Sequence, residues 1–403
     1  MTFDWPDLNT VGFLLFAVLF TGYLVLEGFD YGAGMLLPFW RAEERRAIVG
    51  ALAPVWEGNE VWLIAAGAFL FAGFPGAYAT LFSGLYPALL LLLVPLLLRG
   101  VAFEFADKDA RPRWQRFWLW AIFAGSALPP FVWGVTVAAL AGGLPIDGDG
   151  RYAGSFMDVL TPYTLTGGMA FAAIFLVHGA AYLTLRLDER LVPKARAHGL
   201  RAGGYALALA LAFAGLSLVY TDMAASLPAC GLLATAAVCL GLACRGLSRR
   251  RYGRGFLLSS GAIVLLAAAV FAGLFPRLAV SSLNPGWSLT VYNTAAGRLT
   301  LRIMAGTALV ALPLVMAFEA WKYWIFRRPA AGGAGAPSAV AGAGRPVGGR
   351  GRPRAAAGGG AGGAHTAAAA VTEPAFEAAN PANDGGFCRT AATKVFPWRL
   401  PVL

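Results

Sequence analysis

Leu-Glu-Gly-Phe-Asp-Tyr-Gly-Ala-Gly at residues 26–34 and Ala-Pro-Val-Trp-Glu-Gly-Asn-Glu-Val-Trp-Leu at 53–63 are acidic islands in otherwise apolar surroundings. Upstream of the first lies an uninterrupted apolar run from Val11 to Leu26, and beyond the second another reaches Phe74. Runs of this kind recur along the chain and approach the roughly 20 residues that cross about 30 Å of hydrocarbon as a helix. Of the 403 residues 58% are hydrophobic and only 13% charged, and the mean hydropathy is +0.63. Soluble domains carry about 25% charged residues, a deficit that a buried core alone does not explain. The fold class read from this is all-α, a polytopic helical membrane bundle.

Working outward, the apolar periodicity predicts nine transmembrane helices over 9–37, 48–73, 77–103, 115–142, 162–185, 202–222, 225–245, 255–276 and 299–324. Ala-Gly-Phe-Pro-Gly at 72–76 leaves almost no loop between the second and third. Twenty-one lysines and arginines fall after the odd-numbered helices, among them Arg46, Arg113, Arg190, Arg250 and Arg328; Arg99 and Lys322, near helix ends, are included. Only Arg151, Arg277, Arg298 and Arg302 fall on the other side. The positive-inside rule then sets the N-terminus outside and the C-terminus in the cytoplasm. The formal net charge of +11 is thus an orientation signal; no nucleic-acid motif accompanies it.

Residues 1–328 form the expected membrane domain. Residues 329–403 are rich in Ala, Gly, Pro and Arg, cannot bury enough apolar surface to offset ordering entropy, and are expected to be a disordered cytoplasmic tail. Arg345, Arg350, Arg352 and Arg354 would set its positive charge beside membrane lipid. Cys230, Cys239 and Cys244 lie in or beside one apolar stretch and Cys388 in the tail, with no CxxC pair or disulfide framework. The N-terminus has Asp4 and Asp7 and no basic region before its first apolar run, so that run reads as a permanent helix.

Charges inside a bilayer cost about 2.5–3.5 kcal/mol each even on the lenient insertion scale. Glu27 and Asp30, and likewise Glu57 and Glu60, are spaced i, i+3, which sets each pair on one helical face. The first helix runs inward and the second outward, so the acids occupy the cytoplasmic half. Measured along one continuous helix, Glu57 lies roughly 16 Å beyond Arg46. A row of acids reaching in from the cytoplasm suits a proton feed. Alternatively the acids are structural, paired with Asn59, a tyrosine or a carbonyl freed by Pro54. Gly28, Gly32 and Gly34 allow close helix packing. Glu104, near the end of the third helix, is expected to pair with Lys108; Arg99, deeper, is expected to meet a partner or a headgroup; Asp222 and Glu319 read as edge residues. His178 is the sole histidine in the apolar runs, so a haem with two histidine ligands cannot be held by this chain alone; a hydrogen-bonded helix histidine is the expectation. No catalytic, cofactor-binding or metal-ligating set is read in the chain.

The two opening motifs, Gly-Phe-Asp-Tyr-Gly at 28–32 and the 53–63 string, resemble the signatures of subunit II of cytochrome bd and related cyanide-insensitive quinol oxidases. So do Phe-Ser-Gly-Leu-Tyr at 82–86, Arg-Gly-Val-Ala-Phe-Glu-Phe at 99–105, Gly-Ser-Ala-Leu-Pro-Pro at 125–130, His-Gly-Ala at 178–180, Ser-Leu-Thr-Val-Tyr-Asn at 288–293 and Ala-Trp-Lys-Tyr-Trp-Ile-Phe-Arg at 320–327. The likeness runs in order over about residues 8–328. It implies a bacterial inner-membrane heterodimer with a haem-bearing subunit I, which holds two b-type haems and one d-type haem and oxidises quinol. Oxygen is reduced to water with protons drawn from the cytoplasm. A small accessory subunit is compatible with it. In the resemblance, the proton-path acids of the family map onto Asp30 and Glu57, although many relatives have aspartate where Glu27 and Glu57 stand. The rival readings are a secondary transporter with a midplane ion site and a purely structural subunit.

Overall fold

The computed structural model describes residues 7–106 and 108–325; the expected tail at 329–403 lies outside the described residues. The chain is a helical bundle. Helix α1 (Leu8–Leu36) starts at Asp7, whose carboxylate accepts from the Asn9 N–H, and ends where Pro38 enters a single 3-10 turn. A short helix α2 (Ala42–Leu52) follows, its N-terminus closed by the Arg41 N–H donating to Glu44 Oε2 at 2.8 Å. It buries Ile48, Ala51 and Leu52.

Then come α3 (Trp56–Gly73), α4 (Pro75–Gly84), α5 (Tyr86–Phe105), α6 (Pro112–Gly142), α7 (Pro162–Arg186), α8 (Val192–Tyr220), α9 (Leu227–Ser248), α10 (Tyr252–Leu274) and α11 (Arg298–Ile325). Between α10 and α11 a two-stranded antiparallel hairpin, β1 (Arg277–Ala279) and β2 (Leu289–Thr290), closes one end. The bridge between Leu144 and Ser281 ties it to the chain leaving α6.

Among the described residues eight helices are long and apolar enough to cross a membrane, and α3 with α4 makes a further candidate, bent by 118° at its break. The helix expected over 48–73 is two helices: α2 and α3 separate at Ala53-Pro54-Val55. Proline removes a backbone donor and clashes with the preceding turn. The helix expected over 77–103 is likewise α4 and α5, broken at Leu85 ahead of Pro87. The tight link at 72–76 is present, since α3 ends at Gly73 and α4 begins at Pro75.

Helix α7 is the centre of the bundle and α11 its rim: 78% of the apolar window of α7 is buried, against 6% for α11. Glycine makes the central crossings possible. A Cβ on Gly32 would stand 2.8 Å from both the N and the Cα of Gly179, and nearer still to the carbonyl oxygen of Phe175. One on Gly134 of α6 would stand 2.7 Å from the Gly168 Cα. Gly28 faces the Phe175 ring and Gly34 the Ser126 side chain, so all three glycines of the first motif are approach points, as expected of small residues between packed helices.

Candidate functional site

Arg99 is the hub of the site. It comes from α5 and is fully buried. Its Nη2 donates to the Glu27 carboxylate of α1, also fully buried, and to Glu60 Oε1 of α3 at 2.9 Å. The guanidinium carbon lies 4.8 Å from the centroid of the Tyr31 ring, within cation–π range. Of the two alternatives for Arg99, a partner or a headgroup, the structure has the first: its partners are the two acids, brought from other helices.

Asp30 sits one turn further along α1 and is 1% exposed. Its Oδ2 accepts from Asn59 Nδ2 at 2.7 Å, and the same amide reaches the Leu26 carbonyl at 3.1 Å. Asn59 Oδ1 in turn accepts from the Tyr323 hydroxyl of α11 at 2.8 Å. Asn59 thus joins α1, α3 and α11 through one side chain. On the far side of Glu27, the Tyr23 and Tyr31 hydroxyls are hydrogen-bonded to each other, and Trp133 Nε1 donates to Tyr23 at 3.0 Å.

Glu27 and Glu60 share the single guanidinium of Arg99, and Asp30, one turn along α1, rests on Asn59, so three carboxyl groups stand around one cation. Full ionisation would leave two uncompensated charges in a low-dielectric interior, where unpaired charge costs several kcal/mol. Glu27 Oε2, Asp30 Oδ1 and Arg99 Nε and Nη1 are buried without a hydrogen-bond partner among the described residues. The cluster is polar beyond what its own pairing satisfies.

The other expected residues are placed differently. Glu57 is exposed on the outward side of α3, beside the exposed Val61 and Ile64, so the i, i+3 pair straddles the edge of the bundle, with only Glu60 reaching Arg99. The roughly 16 Å depth for Glu57 assumed one unbroken helix; the break at 53–55 removes that measure. Glu104 is exposed, and the expected pair with Lys108 is not among the ion pairs of the described residues. Asp222 is an edge residue paired with Arg277 at 2.7 Å. Glu319 is not: it is 7% exposed and pairs with Lys322 at 2.6 Å, because α11 turns this end against α3. Sequence reading missed Tyr23, Tyr31 and Tyr323, whose only signal was their closeness in the chain to the acidic motifs and to Lys322.

His178 is buried. Its Nε2 lies 3.1 Å from the Val25 carbonyl and its Nδ1 2.7 Å from Ser259 Oγ, and the ring stacks on Phe256 at 4.8 Å. Since a carbonyl can only accept, Nε2 carries the proton, and Nδ1 shares the single Ser259 hydroxyl proton with the Phe256 carbonyl, 2.8 Å from that hydroxyl. Both nitrogens are engaged, and no group of three or more His, Cys, Asp or Glu able to hold a metal ion occurs among the described residues. This histidine does not fit as a haem ligand.

A sequence model of the family described as cytochrome bd terminal oxidase subunit II matches residues 8–326. The chain belongs to that family. It is 37% identical over 329 residues to cytochrome bd ubiquinol oxidase subunit 2 of Bacillus subtilis (strain 168), covering 80% of this chain and 96% of that one. To cytochrome bd-I ubiquinol oxidase subunit 2 of Escherichia coli (strain K12) it is 31% identical over 364 residues, covering 80% and 94%. The bd oxidase structure from Geobacillus thermodenitrificans shares the fold, with a TM-score of 0.60 at 20% identity over 79% of this chain and 99% of that one. This bd-family chain is therefore a multi-pass membrane subunit of a quinol:oxygen oxidoreductase, a terminal oxidase that works with a subunit I and whose complex contains haem.

Proposed function

We propose that this subunit II feeds protons from the cytoplasm toward the oxygen-reducing centre and holds the haem-bearing subunit in shape. The partner, in this reading, carries two b-type haems and one d-type haem in a heterodimer of the bacterial inner membrane. The chain spans the membrane nine times, with the bent pair α3–α4 as the second span and α5 as the third, N-terminus outside and C-terminus inside.

The observation that carries the reading is the buried Arg99 cluster, with more carboxyl groups than cations and with unsatisfied oxygens on Glu27 and Asp30. Reducing oxygen to water consumes protons, and carboxyl groups in an apolar interior can hold and pass them. Glu60, whose side chain is 29% exposed, links the buried part to the face of α3 that carries Glu57. A transporter reading has less support, because the acids are tied to Arg99 and Asn59 instead of lining an open ion site.

The test is oxygen consumption by the purified complex carrying Asp30→Asn or Glu57→Gln. Each substitution keeps shape and polarity but cannot carry a proton. Assembly and the haem spectrum should be unchanged while turnover falls roughly tenfold or more, with Glu57→Asp milder. Wild-type turnover in both variants would reject the proton feed in favour of structural pairing.

A further inference from the structure

Helix α11 is held at its two ends. Over most of its length it presents apolar side chains outward, including Leu309, Val310, Leu314 and Phe318. Its buried residues are Leu301 and Ala305 at one end and Glu319 and Lys322 at the other. An ion pair whose side chains are each about 10% exposed is an unexpected fastener in an apolar helix, where a leucine pair would dock more cheaply. Its position suggests another role. A Cβ on Gly58 would stand 3.1 Å from Glu319 Oε1 and nearer still to Lys322 Nζ. The pair therefore rests on the one residue that separates Glu57 from Asn59.

We propose that the Glu319–Lys322 pair positions the carboxylate cluster: it seats Tyr323 on Asn59 and sets the local charge balance in which the cluster exchanges protons. This rests on the proton-feed reading. Glu319 and Tyr323 face Lys322 from its own helix, Gly58 faces it from α3 with Glu60 two residues further along and Glu57 on the exposed side, and Asp30 and Glu27 follow on α1 behind Asn59. Beyond them lie Arg99 of α5, paired with Glu27, and Tyr182 of α7, stacked on Phe29 at 4.1 Å. Four carboxyl groups, Glu27, Asp30, Glu60 and Glu319, lie around two cations, Arg99 and Lys322, so each of the two charges on α11 matters. Gly58 makes the contact possible, since any side chain there would push the ammonium group away from α3.

The charges act with opposite sign. Removing Lys322 and removing Glu319 should therefore move the pH–rate profile in opposite directions. At an effective dielectric of about 20, a nearby unit charge moves such a profile by on the order of one pH unit. If a relay fails when its carboxyls stay ionised, the alkaline limb of the pH–rate profile reports the cluster. Lys322→Met should move that limb about one unit up and Glu319→Gln should move it down. The double variant should return it near the wild-type position, and Lys322→Arg should leave it in place.

The experiment is the pH profile of oxygen consumption by the whole complex, with haem content checked for each variant. Opposed shifts support the proposal, because loosened packing would move both limbs alike. Shifts of the same direction, or none, overturn it. Should Lys322→Met fail to assemble, Gly58→Ala displaces the ammonium without deleting it and should shift the limb up; an unmoved limb there overturns the proposal equally. Asp30→Asn is measured alongside. If it turns over slowly while the α11 variants shift nothing, only this inference fails; if it and Glu57→Gln both turn over at the wild-type rate, the proton feed itself fails.

Discussion

Gly32→Ala should damage this protein more than any other single methyl group added to α1. The added Cβ would lie 2.8 Å from the N and Cα of Gly179, against the 3.4 Å at which ordinary contact begins, and closer still to the Phe175 carbonyl oxygen. All three are backbone atoms of α7, so no rotamer change relieves the overlap and the helices must separate. Overpacking typically costs 1–3 kcal/mol, and with backbone on both sides the upper end, about 3 kcal/mol, is expected. That corresponds to a fall of roughly 5 °C in Tm for a chain of this size. Membrane complexes unfold irreversibly, so the comparison is of apparent Tm at one scan rate. The control is Gly204→Ala on α8, where a Cβ meets nothing within 4 Å and alanine favours the helix by up to about 1 kcal/mol. Because Glu27 and Asp30 ride on the displaced helix, turnover should fall with stability. A Gly32→Ala complex that melts with the Gly204→Ala control would refute the close-crossing argument.

Two further outcomes bear on the proposed orientation and on α2. Single cysteines near Arg113, Arg190 and Arg250 should be shielded from impermeant thiol reagents in intact cells, and ones near Asp149 and Trp287 should react; a reversal at any of these loops breaks the topology. At α2, the hydrogen bond from Lys194, then that from the Arg41 N–H, holds the Glu44 carboxyl below its ordinary range. A depressed value contributes stability above the ordinary carboxylate range and loses it as pH falls through the folded-state value. Glu44→Gln should therefore loosen residues 42–52 at neutral pH, by under about 1 kcal/mol for so exposed a pair. Hydrogen exchange at pH 7 and pH 4 checks this: wild type should lose protection on acidification and the variant should not, and wild-type protection of the variant at pH 7 would contradict it.

The helical membrane class was legible because hydropathy averages over many residues and tolerates local errors. Seven of the expected spans end within a few residues of observed helices, apart from α8, which begins at Val192 instead of 202. Its first ten residues include Lys194, Arg196 and Arg201, and a helix can leave the membrane without ending. The second and third spans failed differently. Pro54 and Pro87 mark real breaks, yet Pro95, Pro129, Pro130 and Pro313 lie inside continuous helices. In a membrane neighbouring helices re-satisfy the freed backbone groups, so proline alone does not announce a break.

The site was half legible, for a physical reason that its charges make plain. Sequence spacing fixes which side of a helix two residues share but not whether that side faces the bundle. Glu57 and Glu60 share a side, and the edge of the bundle passes between them. What decides the matter is the cation they can reach, and Arg99 arrives from α5, 39 residues after Glu60 and 72 after Glu27. A lone arginine amid Leu96, Leu97, Leu98 and Val101 is tolerable only beside buried acids, and Glu27 and Glu60 are the two it meets. The same bookkeeping leaves Glu57 over. Standing among exposed Val61 and Ile64, it cannot face bare hydrocarbon without the cost that made these acids conspicuous. The outward side of α3 therefore calls for a polar group supplied from outside this chain.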